Sequence, residues 1–382
     1  MLLSNFRPRP TLVTPQTHIA KPRFPVIDAH NHLAAPYGGG WDERPLPELL
    51  DVLDEAEVRL FVDLDGGWGE GLLQKHLDRF KAKAPERFRV FGGVDWGQWP
   101  ARGDQFPEWA ADRLRVQKGW GAEGLKVWKP FGLSVRDARG ERVQIDDARL
   151  DPLWQTAGEL HLPVIIHIAD PVAFFQPLDE HNERWEELSA HPEAQFPSPP
   201  FPAFATLIEA FARLVARHPR TTFIGAHVGC YAENLAWVGR LLDRCPNFFV
   251  DISARIPELG RQPYSARRFF LQYADRILFG TDHPANAATY RAHYRFLESE
   301  DEYFAYDADP DAIPGQGRWR IYGLFLPEEV LRKVYFENAG RVLGGFYAGG
   351  RASDFSVSSA RFRKAKKMDI GPLQIMQQAV VR

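Results

Sequence analysis

Cysteine is almost missing from this chain, with two residues in 382. Two thiols cannot build the disulfide framework of a small secreted domain, and Cys230 and Cys245 fit no CxxC metal motif. Long apolar runs are missing too. No stretch of 18 apolar residues occurs, so no membrane span is expected. The opening MLLSNFRPRPTLVTPQ has no apolar core of signal-peptide length followed by a small-residue cleavage site. Charge of one sign is equally scarce. A net charge of −3 and a pI near 6.5 exclude a general nucleic-acid or anionic-membrane binder. These absences predict a cytoplasmic protein with a small-molecule substrate and no nucleic-acid or membrane partner. They leave homo-oligomer formation open.

What is present is ordinary globular composition, 45% hydrophobic and 25% charged, with ample length for a large core. Eight short apolar runs recur: FPVIDAH (24–30), VRLFVDLDG (58–66), FRVFGGVDW (88–96), GLKVWK (124–129), PVIIHIAD (163–170), TFIGAHVG (222–229), FFVDISA (248–254) and ILFGTDHP (277–284). They are rich in Val, Ile and Phe, as buried parallel strands are. Amphipathic stretches separate them. In one, Leu207, Ile208, Phe211, Leu214 and Val215 have the three–four spacing of a helix laid on a sheet. Eight strands alternating with helices predict an α/β fold, a (β/α)8 TIM barrel.

Three regions exceed the minimal barrel. Residues 1–23 are Pro-rich and read as an N-terminal arm before a barrel over 24–349. Residues 171–202 form a long insertion after strand five, where a loop of this length usually serves as a lid. Its FFQP and FPSPPFP stretches could cover a ring-bearing substrate or simply pack the lid. Residues 298–326 interrupt the last helical region. The tail 350–382 carries seven Lys or Arg against two Asp and reads as a basic, solvated C-terminal extension.

The chemistry gathers at strand ends, where barrels of this class place their active sites. His30 and His32 stand two apart at the end of strand one, on one face, about 6.5–7 Å between Cα atoms. Asp28, in phase behind them, is expected to orient one imidazole by hydrogen bonding. His167 ends strand five, His227 strand six and Asp282 strand eight. His76, His161, His191 and His218 fall on helices or loops and read as surface groups. Four histidines and an aspartate on one rim suit a divalent transition metal. Zinc is the first expectation, with manganese or iron as alternatives.

The set Asp28-x-His30-x-His32, His167, Ala226-His227-x-Gly229 and Gly280-Thr281-Asp282 resembles the amidohydrolase superfamily, in particular its amidohydrolase 2 branch. That branch includes aminocarboxymuconate-semialdehyde decarboxylase, resorcylate-type decarboxylases, and lactone and ester hydrolases. The resemblance runs from about residue 24 to 345. It implies that His30, His32, His167 and Asp282 ligate one metal ion and that His227 acts as acid or base beside the metal-bound water, with Asp282 sharing in proton transfer. In two-metal members of the superfamily a carboxylated lysine on strand four bridges the ions. Lys126 lies on that strand and reads either as such a bridge or as a charge that holds substrate or pairs with a neighbouring acid.

Lys129, nearer the strand end, reads as a substrate contact. Arg255 reads either as a bidentate donor to a substrate carboxylate or as a structural partner of Asp170 or Asp251. Asp65, Asp95 and Trp96 are further polar or aromatic groups at strand ends. The first functional expectation is a metal-dependent hydrolase of an ester, lactone or amide. The alternative is a non-oxidative decarboxylase of an aromatic or enoic acid. The stretch His227-Val228-Gly229-Cys230 departs from the His-Gly-Gly common among the decarboxylases of the branch, which places hydrolysis first.

Overall fold

The computed structural model describes residues 9–35, 37–307 and 315–344. Its strands are β1 (Val26–Asn31), β2 (Val58–Asp63), β3 (Phe88–Val90), β4 (Gly92–Gly93), β5 (Leu125–Val127), β6 (Val164–Ile166), β7 (Phe223–Gly225), β8 (Phe248–Asp251) and β9 (Ile277–Leu278). Each pairs in parallel with the next in chain order, as β1–β2–β3 and as β4 to β9. β3 and β4 share one barrel position. Between them the Phe91 N–H donates to Asp63 O and the Gly92 N–H to Gly124 O, so one extended segment passes from β2 to β5. The ends meet where the Ala29 N–H donates to Phe279 O (2.9 Å) and the Asp282 N–H to His30 O (3.0 Å). The result is the expected (β/α)8 barrel.

Inside it, Ile27, Ala29, Leu60, Val62, Leu64, Phe91, Ile165, Ile224 and Leu278 form one buried cluster. Outside, the helix layer packs on the alternate residues. All five apolar residues of the stripe on the helix Phe204–Arg217 are buried, as their spacing predicts. The paired strands are shorter than the apolar runs. Most rim residues therefore lie just beyond the last ladder bond, where the backbone can leave the extended region.

The N-terminal arm is described from residue 9. Thr17 anchors it by donating its N–H (2.7 Å) and its hydroxyl (2.6 Å) to Asp301. The basic tail 350–382 lies outside the described residues. The insertion 171–202 contains the short helix Trp185–Ala190 and is fastened at three points. Arg184, itself buried, pairs with the buried Glu258. Arg261 pairs with Glu183 at 2.7 Å, and Arg318 with Glu186 at 2.7 Å. The insertion's aromatics pack on one another, with Phe175–Phe196 and Phe196–Phe201 ring centroids 5.3 and 5.2 Å apart. Among the described residues no helix is long and apolar enough to cross a membrane.

Candidate metal centre

β1 is irregular: four residues, Asp28 to Asn31, run opposite three on β2, Phe61 to Asp63. Such an extra residue re-aims the side chains on either side of it. Asp28 consequently orients neither histidine side chain, contrary to the sequence expectation. It faces the helix layer and accepts hydrogen bonds from Asn31 Nδ2 (2.8 Å), Thr281 Oγ1 (2.9 Å), Thr281 N (3.1 Å) and Tyr290 OH (2.8 Å). Burial raises its carboxyl to about 6, against the lowering effect of those bonds.

The orienting carboxylates come from other strands. Asp251, the last residue of β8, places Oδ2 2.9 Å from His30 Nδ1. Asp65, just past β2, places Oδ1 2.8 Å from His32 Nδ1, and its Oδ2 accepts the N–H groups of Leu33 (2.8 Å) and Ala34 (2.7 Å). A carboxylate at Nδ1 fixes the proton there and turns the Nε2 lone pair forward, the arrangement that metal-binding histidines use. Sequence reading named Asp65 and Asp251 only as polar strand ends. Their pairing with a particular imidazole depends on contacts 33 and 221 residues apart.

Asp282 closes the group. Its Oδ1 lies 3.3 Å from His32 Nε2 and 3.9 Å from His30 Nε2. These three residues each offer a ligand atom within 4.8 Å of the others. Metal bonds near 2.1 Å in a tetrahedral site imply ligand atoms ~3.4 Å apart, so the spacing fits one small ion. The electrostatics agree. Despite burial, Asp282 and Asp65 raise His32 to about 9, because both of its nitrogens face carboxylates. Asp282 is held well below the usual carboxylate range in spite of burial, chiefly by His30 and His32. A proton on His32 Nε2 and a metal ion compete for one place that favours positive charge.

His167, one residue past β6, stands outside this group of three. Its buried Nε2 makes no hydrogen bond among the described residues, and Asp170 Oδ1 lies 3.4 Å away. Burial lowers its pKa to about 4, so its ring is neutral with a lone pair to offer. Asp170 in turn pairs with Lys129, so the expected substrate contact is already engaged by a carboxylate. Lys126 is fully buried and places Nζ 3.1 Å from His30 Nε2; burial lowers it to about 8.

His227 meets the cluster from across the barrel, its ring centroid 4.4 Å from that of His167 and 4.9 Å from that of His30. Its Nδ1 donates to Ser253 O (2.9 Å), leaving Nε2 as an acceptor 3.7 Å from Asp282 Oδ2. Burial, then the neighbouring His167 and Arg255, hold its pKa well below the ordinary value. The backbone here is strained: His227, Val228, Ala254 and Asp282 have φ of 58°, 59°, 52° and 52°. Non-glycine residues in that region, above all β-branched Val228, cost roughly 1–3 kcal/mol each and concentrate at functional sites.

Arg255 pairs with neither Asp170 nor Asp251. Its guanidinium is buried, donates to Ala254 O at 2.7 Å, and has no carboxylate within 4.0 Å among the described residues. Two other expectations are corrected. His76 is buried with Nδ1 2.6 Å from Asp63 Oδ2, and His218 is buried against Asp151 at 3.1 Å. Each acquires its carboxylate partner from a distant segment, which helix or loop placement alone does not reveal.

A family model described as amidohydrolase matches residues 27–345. No curated protein sequence matches the chain. Among solved structures, the 2,6-dihydroxybenzoate decarboxylase from Rhizobium is similar at 18% identity, covering 84% of this chain and 98% of that one, with a TM-score of 0.52. A putative amidohydrolase from Staphylococcus aureus is similar at 17% identity, covering 85% and 100%, with a TM-score of 0.51. An uncharacterised TIM-barrel protein from Bordetella bronchiseptica follows at 16% identity, 79% and 84% coverage and a TM-score of 0.50. At these identities the likeness concerns the fold.

Proposed function

The chain belongs to the amidohydrolase family, and from that premise we propose that it is a metal-dependent, non-oxidative decarboxylase of an aryl carboxylic acid. The observation that carries this reading is Arg255. A buried guanidinium with no carboxylate partner among the described residues, close enough to His227 to depress its basicity, is a prepared seat for a substrate carboxylate. A neutral ester or lactone carries no carboxylate for such a cation to hold in the ground state. The similarity to a dihydroxybenzoate decarboxylase supports the same choice over the hydrolase first expected.

His30, His32 and Asp282 would hold the ion, with the unpartnered His167 Nε2 as a further donor. Imidazole and carboxylate donors favour zinc, then manganese or iron. When bound, the ion supplies Lewis acidity that polarises a substrate oxygen. The chain's own groups do the rest. Arg255 holds the carboxylate, and burial keeps water from competing. A proton adds to the ring carbon that bears the carboxylate. The bond to that carboxylate then breaks, its electron pair returns to the ring, and CO2 leaves. Each turnover takes up one proton from solvent, which His227 Nε2, 3.7 Å from Asp282 Oδ2, is placed to accept and pass to the ring carbon. His227 is neutral before the reaction and suited to receive that proton and pass it on.

The test is CO2 release from hydroxybenzoates by the metal-loaded protein. Arg255→Lys, which keeps the charge but loses the planar fork, should raise KM more than it lowers kcat. Hydrolysis of aryl esters or lactones with no CO2 from any aryl acid would refute the proposal.

A further inference from the structure

A cluster of aromatic rings lies beside His32 and reaches solvent, with Tyr37 6.1 Å from the His32 ring and 6.4 Å from the Trp128 ring. The Trp128 ring lies 5.0 Å from the His32 ring at 27°, Trp68 lies 3.9 Å from Trp128 at 27°, and Tyr37 lies 6.0 Å from Trp68 at 7°. Three different segments, following β1, β2 and β5, each contribute one aromatic side chain to it. Trp68 is 49% exposed and Tyr37 53%. Single exposed aromatics are ordinary on protein surfaces, but near-parallel rings continuous with a candidate metal ligand form an organised apolar surface.

The stack is also rigid. Trp68 ends the turn Asp65–Trp68, whose first residue holds His32. A Cβ on Gly66 would lie 2.1 Å from Phe91 O, and one on Gly67 would lie 2.4 Å from Trp128 Nε1. The two glycines therefore let this turn sit directly on the barrel, and Trp68 is presented from a turn packed against it. Lys126 Nζ lies 4.6 Å from the Trp128 ring centroid, so the inner end of the stack is polarised by the cation beside His30.

We propose that Trp68 and Tyr37 form a stacking subsite for the outer ring of a two-ring, planar aryl substrate whose carboxylated ring lies at the metal centre. The proposal rests on the aryl-acid reading for the inner ring and specifies the substrate class further. An aliphatic substituent would gain burial there but no ring–ring contact, and a single-ring acid would leave the outer rings in water.

Calorimetric titration of the metal-loaded protein with hydroxynaphthoate and hydroxybenzoate tests this directly. The wild-type protein should bind the two-ring acid about tenfold tighter, from one added ring stack and its burial. Trp68→Leu, apolar but not planar, should reduce that ratio to about twofold with metal content unchanged, and Trp68→Phe should restore most of it. Equal affinities in the wild type, no binding of either acid, or a ratio preserved in Trp68→Leu would overturn the subsite. If the ratio behaves as expected and neither acid releases CO2, the subsite stands and the decarboxylase reading falls.

Discussion

Replacing Asp251 by asparagine changes one atom and should remove much of the metal affinity. Asp251 is fully buried, and its two oxygens do different work. Oδ1 accepts the N–H of His227 (3.0 Å), the N–H of Ser253 (3.1 Å) and the Ser253 hydroxyl. Oδ2 faces His30 Nδ1 at 2.9 Å. An asparagine must keep its carbonyl oxygen on the side of the two fixed backbone donors. Its amide nitrogen then points at His30 Nδ1, where donor meets donor. Only Ser253 Oγ, 3.0 Å from His30 Nδ1, then remains to accept the Nδ1 proton, so the tautomer with its proton on Nε2 gains weight and the lone pair is drawn from the metal side. Loss of such a supporting carboxylate typically costs 10- to 100-fold in metal affinity, or about 1.4–2.7 kcal/mol. Competition with a chelator of known affinity measures the change, and circular dichroism establishes that the barrel persists. Wild-type metal affinity in a folded Asp251→Asn protein would refute the assignment of His30 Nε2 as a ligand atom.

Other outcomes follow from the same geometry. His227→Asn should keep the metal and lower turnover by about 10²-fold, the scale of a lost acid–base group; loss of the ion would move His227 among the ligands. Arg184→Met leaves Glu258 buried without its cation and should cost about 3–5 kcal/mol in chemical denaturation. A cost near zero would mean that the insertion is not fastened by that pair. Asp28 keeps its proton to about 6 when folded, against 3.8 for the free group. Its folded pKa is raised, so the associated stability is complete below 3.8 and is lost as pH climbs through 6, a difference of roughly 3 kcal/mol. Urea titrations of the metal-free protein from pH 3.5 to 7 should therefore show a falling component that is absent from Asp28→Asn. The same slope in both proteins would place the titration elsewhere.

Much of the architecture is legible in the sequence because Val-, Ile- and Phe-rich runs alternate with three–four patterns, and because His30, His32, His167, His227 and Asp282 all fall at the ends of such runs. The limits are equally physical. One extra residue in β1 reverses the facing of Asp28, and a two-residue period cannot register an insertion that leaves the apolar pattern intact. His76 sits in a stretch that reads as a surface helix, and only β2 brings Asp63 to it. Arg184 belongs to a polar insertion whose composition suggests solvent, yet Glu258, 74 residues later, takes it into the interior. Lys129 and Arg255 look interchangeable as strand-end cations. Their difference lies in Asp170, which reaches one and not the other.

The place where the barrel's two ends meet has a consequence for how the protein comes apart. His30 and His32 lie at one end of the chain's barrel and Asp282 at the other. Few backbone bonds join them: Ala29 to Phe279 and Asp282 to His30, backed by the Asp28–Thr281 clasp. An ion shared by these residues would act as a rivet across the closure, so its binding energy would be felt as resistance to opening at that edge. During synthesis His30 and His32 emerge some 250 residues before Asp282, and such a rivet would be set only when the last strand arrives. Amide exchange at Ala29 and Asp282 should thus respond to metal more than exchange in the β5–β6 wall opposite.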